Sequence, residues 1–254
     1  MTYTLKEMMA LAAARQIRNQ DIVFCGTGIS MVAAMAAKHI HAPDATIFFE
    51  TGAIDSCLKD LPLAVSDPRV MHRASMFCSL ADSFGFMQNR KTGQNIVGIV
   101  GAAQIDPYGN LNSTSIGDYH APTARFPGSG GACDVACFVN NNIVFMKLEK
   151  RKFVPTLSYR TSPGWLDGYD SRKKAGLPGS GPSMVITDMG ILGFDRVTRR
   201  MKLDYLYEGI TADAVQERIS FDIDLSSARP FKPPTPEELN VLRETIDPEK
   251  LILN

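Results

Sequence analysis

Glu50 ends a short apolar run, Ala45-Thr-Ile-Phe-Phe-Glu50-Thr-Gly52, where its type and position suit covalent chemistry. Ile47, Phe48 and Phe49 are too few for a helix, rich in β-formers, and bounded by Pro43-Asp44 and Gly52. That is the pattern of a buried parallel strand. In open α/β sheets the carboxyl ends of strands face the ligand crevice. A carboxylate there, followed by a flexible Thr-Gly, is placed to act as nucleophile or general base. The plainer alternative is a strand-end glutamate that is solvated or caps the next helix.

Other residues offer weaker chemistry. Gly26-Thr-Gly28 lies between a strand at Ile22–Cys25 and an Ala/Met-rich helix over 29–40, where backbone N–H groups can face an anion. The third glycine of the dinucleotide fingerprint and the Lys-Ser/Thr of a P-loop are missing, so a tight strand-to-helix turn explains the pair equally well. Gly128-Ser-Gly130-Gly131-Ala132 carries three glycines in four residues, which make either a nest of amide donors or a flexible turn. The segment 101–115, with Gln104 and Asn110, is dense in turn formers and amides and reads as too polar for core. It is a surface loop or a ligand-binding loop, and its place directly after a buried strand favours the second.

Several chemistries find no support. His39, His41, His72 and His120 make neither HxxxH nor HExxH, so no metal site is expected. No GxSxG elbow is present for a Ser-His-Asp hydrolase. Cys25 sits inside an apolar strand and reads as inert, whereas Cys57, in the loop after Glu50, stays open as a nucleophile needing a base. No basic–aromatic face points to nucleic acid. The basic run Lys147–Lys152 reads as a solvated edge strand or a phosphate contact.

The elements that must hold these residues alternate. With 254 residues, 44% hydrophobic, the chain has apolar material for one large α/β domain or two small ones. Lys+Arg and Asp+Glu balance at 27 each, so no global field draws it to nucleic acid or a membrane. The absence of an 18-residue apolar run or signal-peptide core, with five cysteines lacking zinc-type spacing, predicts a cytoplasmic protein with free thiols. Helices are expected over 4–19, 29–40, 74–90, 212–219 and 236–246, the first capped by Thr4 and the last by Thr235. Strands are expected at 22–25, 45–49, 95–100 and 183–187. Hairpins are expected at 136–146, around Asn140–Asn142, and at 191–207. Residues 160–182 read as a long loop around Trp165.

Taken together and in order, the motifs resemble the B (β) subunits of family I coenzyme A transferases of the glutaconate CoA-transferase kind. The matching stretches are Gly26-Thr-Gly28, Ala42-Pro-Asp44, Glu50-Thr-Gly52, Gly101 to Asn110, Asn112 to His120, Gly128 to Ala132, Glu149-Lys-Arg151, Thr161 to Trp165, Val185 to Asp188 and Ile246-Asp-Pro248. Where the family has Glu-Ser-Gly this chain has Glu-Thr-Gly, which keeps the carboxylate, the hydroxyl and the glycine.

The resemblance implies a mainly parallel α/β sheet flanked by helices (the CoA-transferase, NagB/RpiA-like fold) as a single β-subunit-type domain over 1–254. It implies Glu50 as the nucleophile that carries a glutamyl-CoA thioester, in ping-pong exchange of CoA between a short acyl-CoA and an acid such as glutaconate. Gly130, Gly131, Ala132, Gly26 and Gly28 become oxyanion or CoA-binding candidates, and Gln104, Asn110 and Cys57 substrate-contact candidates. Coenzyme A is then a substrate, with no permanently bound cofactor, and a homologous A (α) subunit completes the enzyme. Relatives on this scaffold that lack the glutamate act as hydrolases or decarboxylases. Glu50 argues against that outcome, and Cys57 keeps it open beside a third, that of a non-catalytic subunit.

Overall fold

The computed structural model describes residues 2–89 and 91–253, in two compact units, Met1–Ile99 with Pro233–Asn254 and Val100–Lys232. The first unit starts with α1 (Leu5–Ala14), opened by a capping box in which Thr4 Oγ1 accepts from Glu7 N–H and Glu7 accepts from Thr4 N–H. It ends short of the expected residue 19 because Arg15 already has the C-cap geometry and Gln20 adopts φ +73°. Next in the chain are β1 (Ile22–Phe24), α2 (Ile29–Ile40), β2 (Thr46–Phe48), β3 (Ala53–Ile54), β4 (Met76–Phe77), α3 (Leu80–Gln88) and β5 (Ile96–Gly101). Arg90, the last residue of the helix expected over 74–90, lies outside the described residues.

Strand order here is β5-β1-β2-β3-β4. The first three are parallel, with Phe24 facing both Phe48 and Gly98, and β3 and β4 add antiparallel. From Ser30 to Ala37 every residue of α2 is buried, and α1 packs on it. Small Ala side chains permit that closeness. Phe48 has no exposed surface and meets Phe24 and Phe86 edge-on at 5.3 and 5.5 Å. Burying such a ring is worth about 2–3 kcal/mol.

In the second unit β6 (Gln104–Ile105) pairs with β7 (Leu111–Asn112), and β8 (Ser115–Gly117) with β9 (Pro122–Arg125). After α4 (Ala132–Phe138) come β10 (Asn141–Phe145), α5 (Ser171–Lys174), β11 (Pro182–Ile186), β12 (Gly190–Phe194), β13 (Met201–Leu206), α6 (Ala212–Gln216) and β14 (Arg229–Pro230). The order is β14-β13-β12-β11-β10, with β10–β11 and β13–β14 parallel and the pairs between them antiparallel. The chain returns to the first unit in α7 (Pro236–Asn240), capped by Thr235, which runs on as a π-helical turn over Val241–Ile246. The α/β class with a mostly parallel sheet and flanking helices is as expected.

Four local expectations fail. The helix expected over 74–90 starts only at Leu80, because Met76 and Phe77 pair with β3 as a strand and Ser79 caps the helix. Residues 136–138 are the end of α4 and Val139 its extended C-cap, because Val135 and Ala136 bury one helical face and Ser129 Oγ accepts from Cys133 N–H at the entry. The basic run 147–152 forms turns: Glu149 C=O accepts from Lys152 and Phe153 N–H, so those amides are taken. The polar segment after β5 is largely interior, with Gln104, Asp106, Asn110, Asn112 and Ser115 all buried. No helix among the described residues is long and apolar enough to cross a membrane.

Candidate active site

Glu50 sits at the second position of a tight turn that joins β2 to β3. Gly52 N–H donates to Phe49 C=O at 2.9 Å, and Phe49 N–H to Ala53 C=O at 3.0 Å. The glutamate therefore leads into an antiparallel strand, and the helix-cap alternative falls away. Gly52 is required twice over. Its φ is +97°, and a Cβ there would collide with the Cys78 carbonyl, because β4 passes directly over it. Gly52 C=O in turn accepts from Cys78 N–H at 2.9 Å. Ser83, fully buried, donates to Phe49 C=O at 2.9 Å and pins the other side of the turn. Nothing in the sequence flags Ser83, since its bond reaches across 34 positions.

The backbone under Glu50 is thus bonded on both flanks, while its half-buried carboxylate accepts no hydrogen bond and makes no ion pair among the described residues. A rigid platform carrying an uncommitted carboxylate is what a nucleophile needs.

Gly26 and Gly28 lie beside it. Phe24 of β1 is in register with Phe48 of β2, and Cys25 N–H donates to Phe48 C=O at 3.1 Å. Both the glycine turn and the glutamate turn therefore leave the carboxyl ends of neighbouring parallel strands. Gly28 caps α2 with φ +77° and ψ −139°, a conformation open to glycine, and no side-chain cap hydrogen bond closes the helix start among the described residues. The amides of Ile29, Ser30 and Met31 find no backbone acceptor among the described residues, which leaves positive potential at this edge.

Cys57 is exposed in the loop after β3, its N–H bonded to His72 C=O. Lys38 braces that loop through Ala45 C=O and Asp55. Burial drives the Cys25 thiol far above its ordinary range, which makes it inert. Among the described residues no three His, Cys, Asp or Glu side chains are grouped to hold a metal ion.

The remaining predicted residues belong to the second unit. Gly130 is exposed and Gly131 is buried. Their amides have no acceptor among the described residues, whereas Ala132 N–H donates to Ser129 C=O at 3.0 Å. Asn110 has no exposed surface and both ends of its amide are used. Nδ2 donates to Asp106 at 2.7 Å and to Leu166 C=O at 2.8 Å, and Oδ1 accepts from Gly164 and Leu166 N–H. Asp106 also accepts from Tyr108 and Asn110 N–H, so these side chains staple the 106–110 turn to the 164–166 loop.

Arg172, unremarked in the sequence, is 3% exposed and donates to the carbonyls of Gly179, Gly164, Ala136 and Cys137. It has no carboxylate partner among the described residues; burial lowers its pKa, and carbonyl dipoles take up the charge.

The coenzyme A transferase family model matches residues 6–218, across both units. The glutaconate CoA-transferase B subunit of Acidaminococcus fermentans is 43% identical over 97% of this chain and 93% of that protein. The 3-oxoadipate CoA-transferase B subunit of Pseudomonas knackmussii is 35% identical over 95% and 92%. The crystal structure of glutaconate coenzyme A-transferase from Acidaminococcus fermentans matches with a TM-score of 0.96 at 42% identity, over 100% of this chain and 98% of that one. The chain belongs to the coenzyme A transferase family, whose reaction uses coenzyme A as a substrate.

Proposed function

We propose that this chain is the B-type half of a heteromeric CoA-transferase that moves CoA between a short acyl-CoA and a dicarboxylic acid such as glutaconate, with Glu50 as nucleophile. The observation that carries the reading is the uncommitted Glu50 carboxylate on a backbone held from both sides. In the proposed cycle Glu50 Oε attacks the donor thioester carbonyl, and CoA leaves as thiolate. The mixed anhydride so formed is attacked at the glutamyl carbonyl by that thiolate, which releases the donor acid and leaves a glutamyl-CoA thioester. The acceptor carboxylate reverses both steps and restores the Glu50 carboxylate. The partner of this chain is a homologous A subunit.

Each tetrahedral intermediate carries an oxyanion. Of the amides that the resemblance offers as donors, those of Gly130 and Gly131 are open among the described residues, whereas Ala132 N–H is donated to Ser129 C=O. The uncapped start of α2 behind Gly26 and Gly28 is a further set of donors, and losing one such donor costs about 10²–10³ in rate.

The test is a pair of variants assayed as the complex with the A subunit. Glu50→Gln should abolish transfer and block covalent labelling by acyl-CoA, and borohydride should reduce a glutamyl-CoA thioester on the wild-type peptide holding Glu50. Cys57→Ala should keep transfer. The opposite pattern, Glu50→Gln active and Cys57→Ala dead, would reject the transferase and favour the hydrolase or decarboxylase chemistry.

A further inference from the structure

Cys133 and Cys137 stand four positions apart on α4 and share one face of it. Both are free thiols and both are partly exposed. Helix geometry sets their Cα atoms about 6 Å apart, inside the range a disulfide spans. The side chains already meet. Burial, and after it the charge and the hydrogen bond of Cys133, push the Cys137 thiol up to about 11.

The two ends of this short helix are held unequally. At the Cys137 end the backbone is fixed: Cys137 C=O accepts from Gly179 N–H at 3.0 Å and from Arg172 at 3.1 Å, and Ala136 C=O accepts from Arg172 at 2.6 Å. At the Cys133 end the chain enters through Gly128-Ser129-Gly130-Gly131. Gly128 has φ +96° and Gly130 φ +49°, and a Cβ on either would meet nothing within 4 Å, so this loop has room to shift. A disulfide needs its Cβ atoms about 3.5–4.5 Å apart, whereas helical neighbours at this spacing stand about 5–6 Å apart. Closing the bond therefore draws the two residues together by about 1–2 Å, and the glycine end is the one that yields.

We propose that Cys133 and Cys137 are a reversible redox pair, which switches between dithiol and intrahelical disulfide and thereby reshapes the 128–131 loop. The oxidant is a low-molecular-weight disulfide. Cys137 keeps its proton, so Cys133 attacks first as thiolate, forms a mixed disulfide and expels one small thiolate. With Cys133 capped, its charge and hydrogen bond no longer oppose ionisation of Cys137. The Cys137 thiolate then attacks the Cys133 sulfur and expels the second small thiolate. Two protein thiols are oxidised, one small disulfide is reduced to two thiols, and the two cysteine protons end on those thiols. Excess small thiol runs both steps backwards, and the strain of closure makes the bond easy to reduce. Within the transferase reading, on which this consequence rests, the shift reaches the open amides of Gly130 and Gly131 and slows transfer.

The pair is read directly by equilibrating the 254-residue chain in glutathione redox buffers and digesting it with trypsin. The tryptic peptide 126–147 holds Cys133 and Cys137 and no other cysteine. Oxidation should remove two hydrogen atoms from its mass with no glutathione attached, and dithiothreitol should restore them. Cys137→Ser should instead trap glutathione on Cys133. Amide hydrogen exchange over 128–134 should differ between the oxidised and reduced chains, and not in Cys133→Ser. In the complex with the A subunit, oxidation should slow transfer by about tenfold or more, short of the ~10²–10³ of a lost donor, and Cys133→Ser should keep its rate in the same buffer. The proposal is overturned if the wild-type peptide stays a dithiol or carries only glutathione, if exchange is the same in both states, or if the disulfide leaves an active complex at full rate. A chain that forms the disulfide and changes its exchange, in a complex that transfers no CoA in either state, supports the redox pair and rejects the Glu50 reading alone.

Discussion

The turn at Phe49–Gly52 and the segment at Asp106–Asn110 are both short breaks after buried strands, and they treat their polar side chains in opposite ways. In the first, hydrogen bonds run to the backbone and the Glu50 side chain is left without a partner among the described residues. In the second, Asp106 and Asn110 spend their side chains on the chain itself and are buried by it. A fold can satisfy a turn from its backbone or from its side chains. Where the backbone does it, the side chain is released for chemistry.

Substituting the released group should separate function from stability most sharply. Glu50→Gln is expected to reduce transfer by about 10⁴-fold or more, as nucleophile removals do. Its unfolding free energy should move by no more than about 0.5 kcal/mol, because no contact is lost. A variant that unfolds instead would show that the carboxylate has a structural partner after all. Glu50→Asp, with the carboxylate drawn back by about 1 Å, should lose about 10²-fold.

Breaking the backbone of the same turn should reverse that pattern. Gly52→Ala must abandon φ +97° and clash with the Cys78 carbonyl, so a loss of about 3 kcal/mol or more is expected, read from urea midpoints. Wild-type stability in this variant would mean that β4 does not press on the turn.

In the other region the cost belongs to the side chain. Asn110→Ala leaves Asp106 and the amides of Gly164 and Leu166 short of partners and should cost about 2–4 kcal/mol. A loss near zero would count against the staple.

The smallest effect is a pH dependence. Burial pushes the Asp106 carboxyl above its usual range, against the hydrogen bonds from Asn110 and Tyr108 that pull it down. The folded state then holds this proton more tightly than the unfolded one. Its stabilising share is complete below the unfolded pKa and is lost as pH rises through the raised folded value. Denaturation of wild type against Asp106→Asn from about pH 3 to about pH 7 should show that decline in the wild type alone. Equal slopes would assign the titration elsewhere.

Much of this was legible in the residues. The span of α2 follows its apolar run, β1, β2 and β5 follow their β-branched and aromatic clusters, and the caps at Thr4 and Thr235 follow their side-chain chemistry. Residues 136–138 misled because Cys and Phe are good strand formers, and only the buried face of Val135 and Ala136 shows the helix. Gln104, Asp106, Asn110 and Asn112 misled more instructively. Their types say surface, yet each is buried.

By itself the sequence determined the periods of α2, β1, β2 and β5, the caps at Thr4 and Thr235, and the glutamate at a strand end before a glycine. Only the tertiary structure decided which polar groups are spent and which are free. Ser83 reaches back 34 residues to Phe49, Arg172 reaches 36 to Ala136, and Asn110 reaches 54 to Gly164. Hydrogen-bond saturation is a property of groups brought together through space. A side chain's type states what it can bond, and the fold alone states whether that bond is already made.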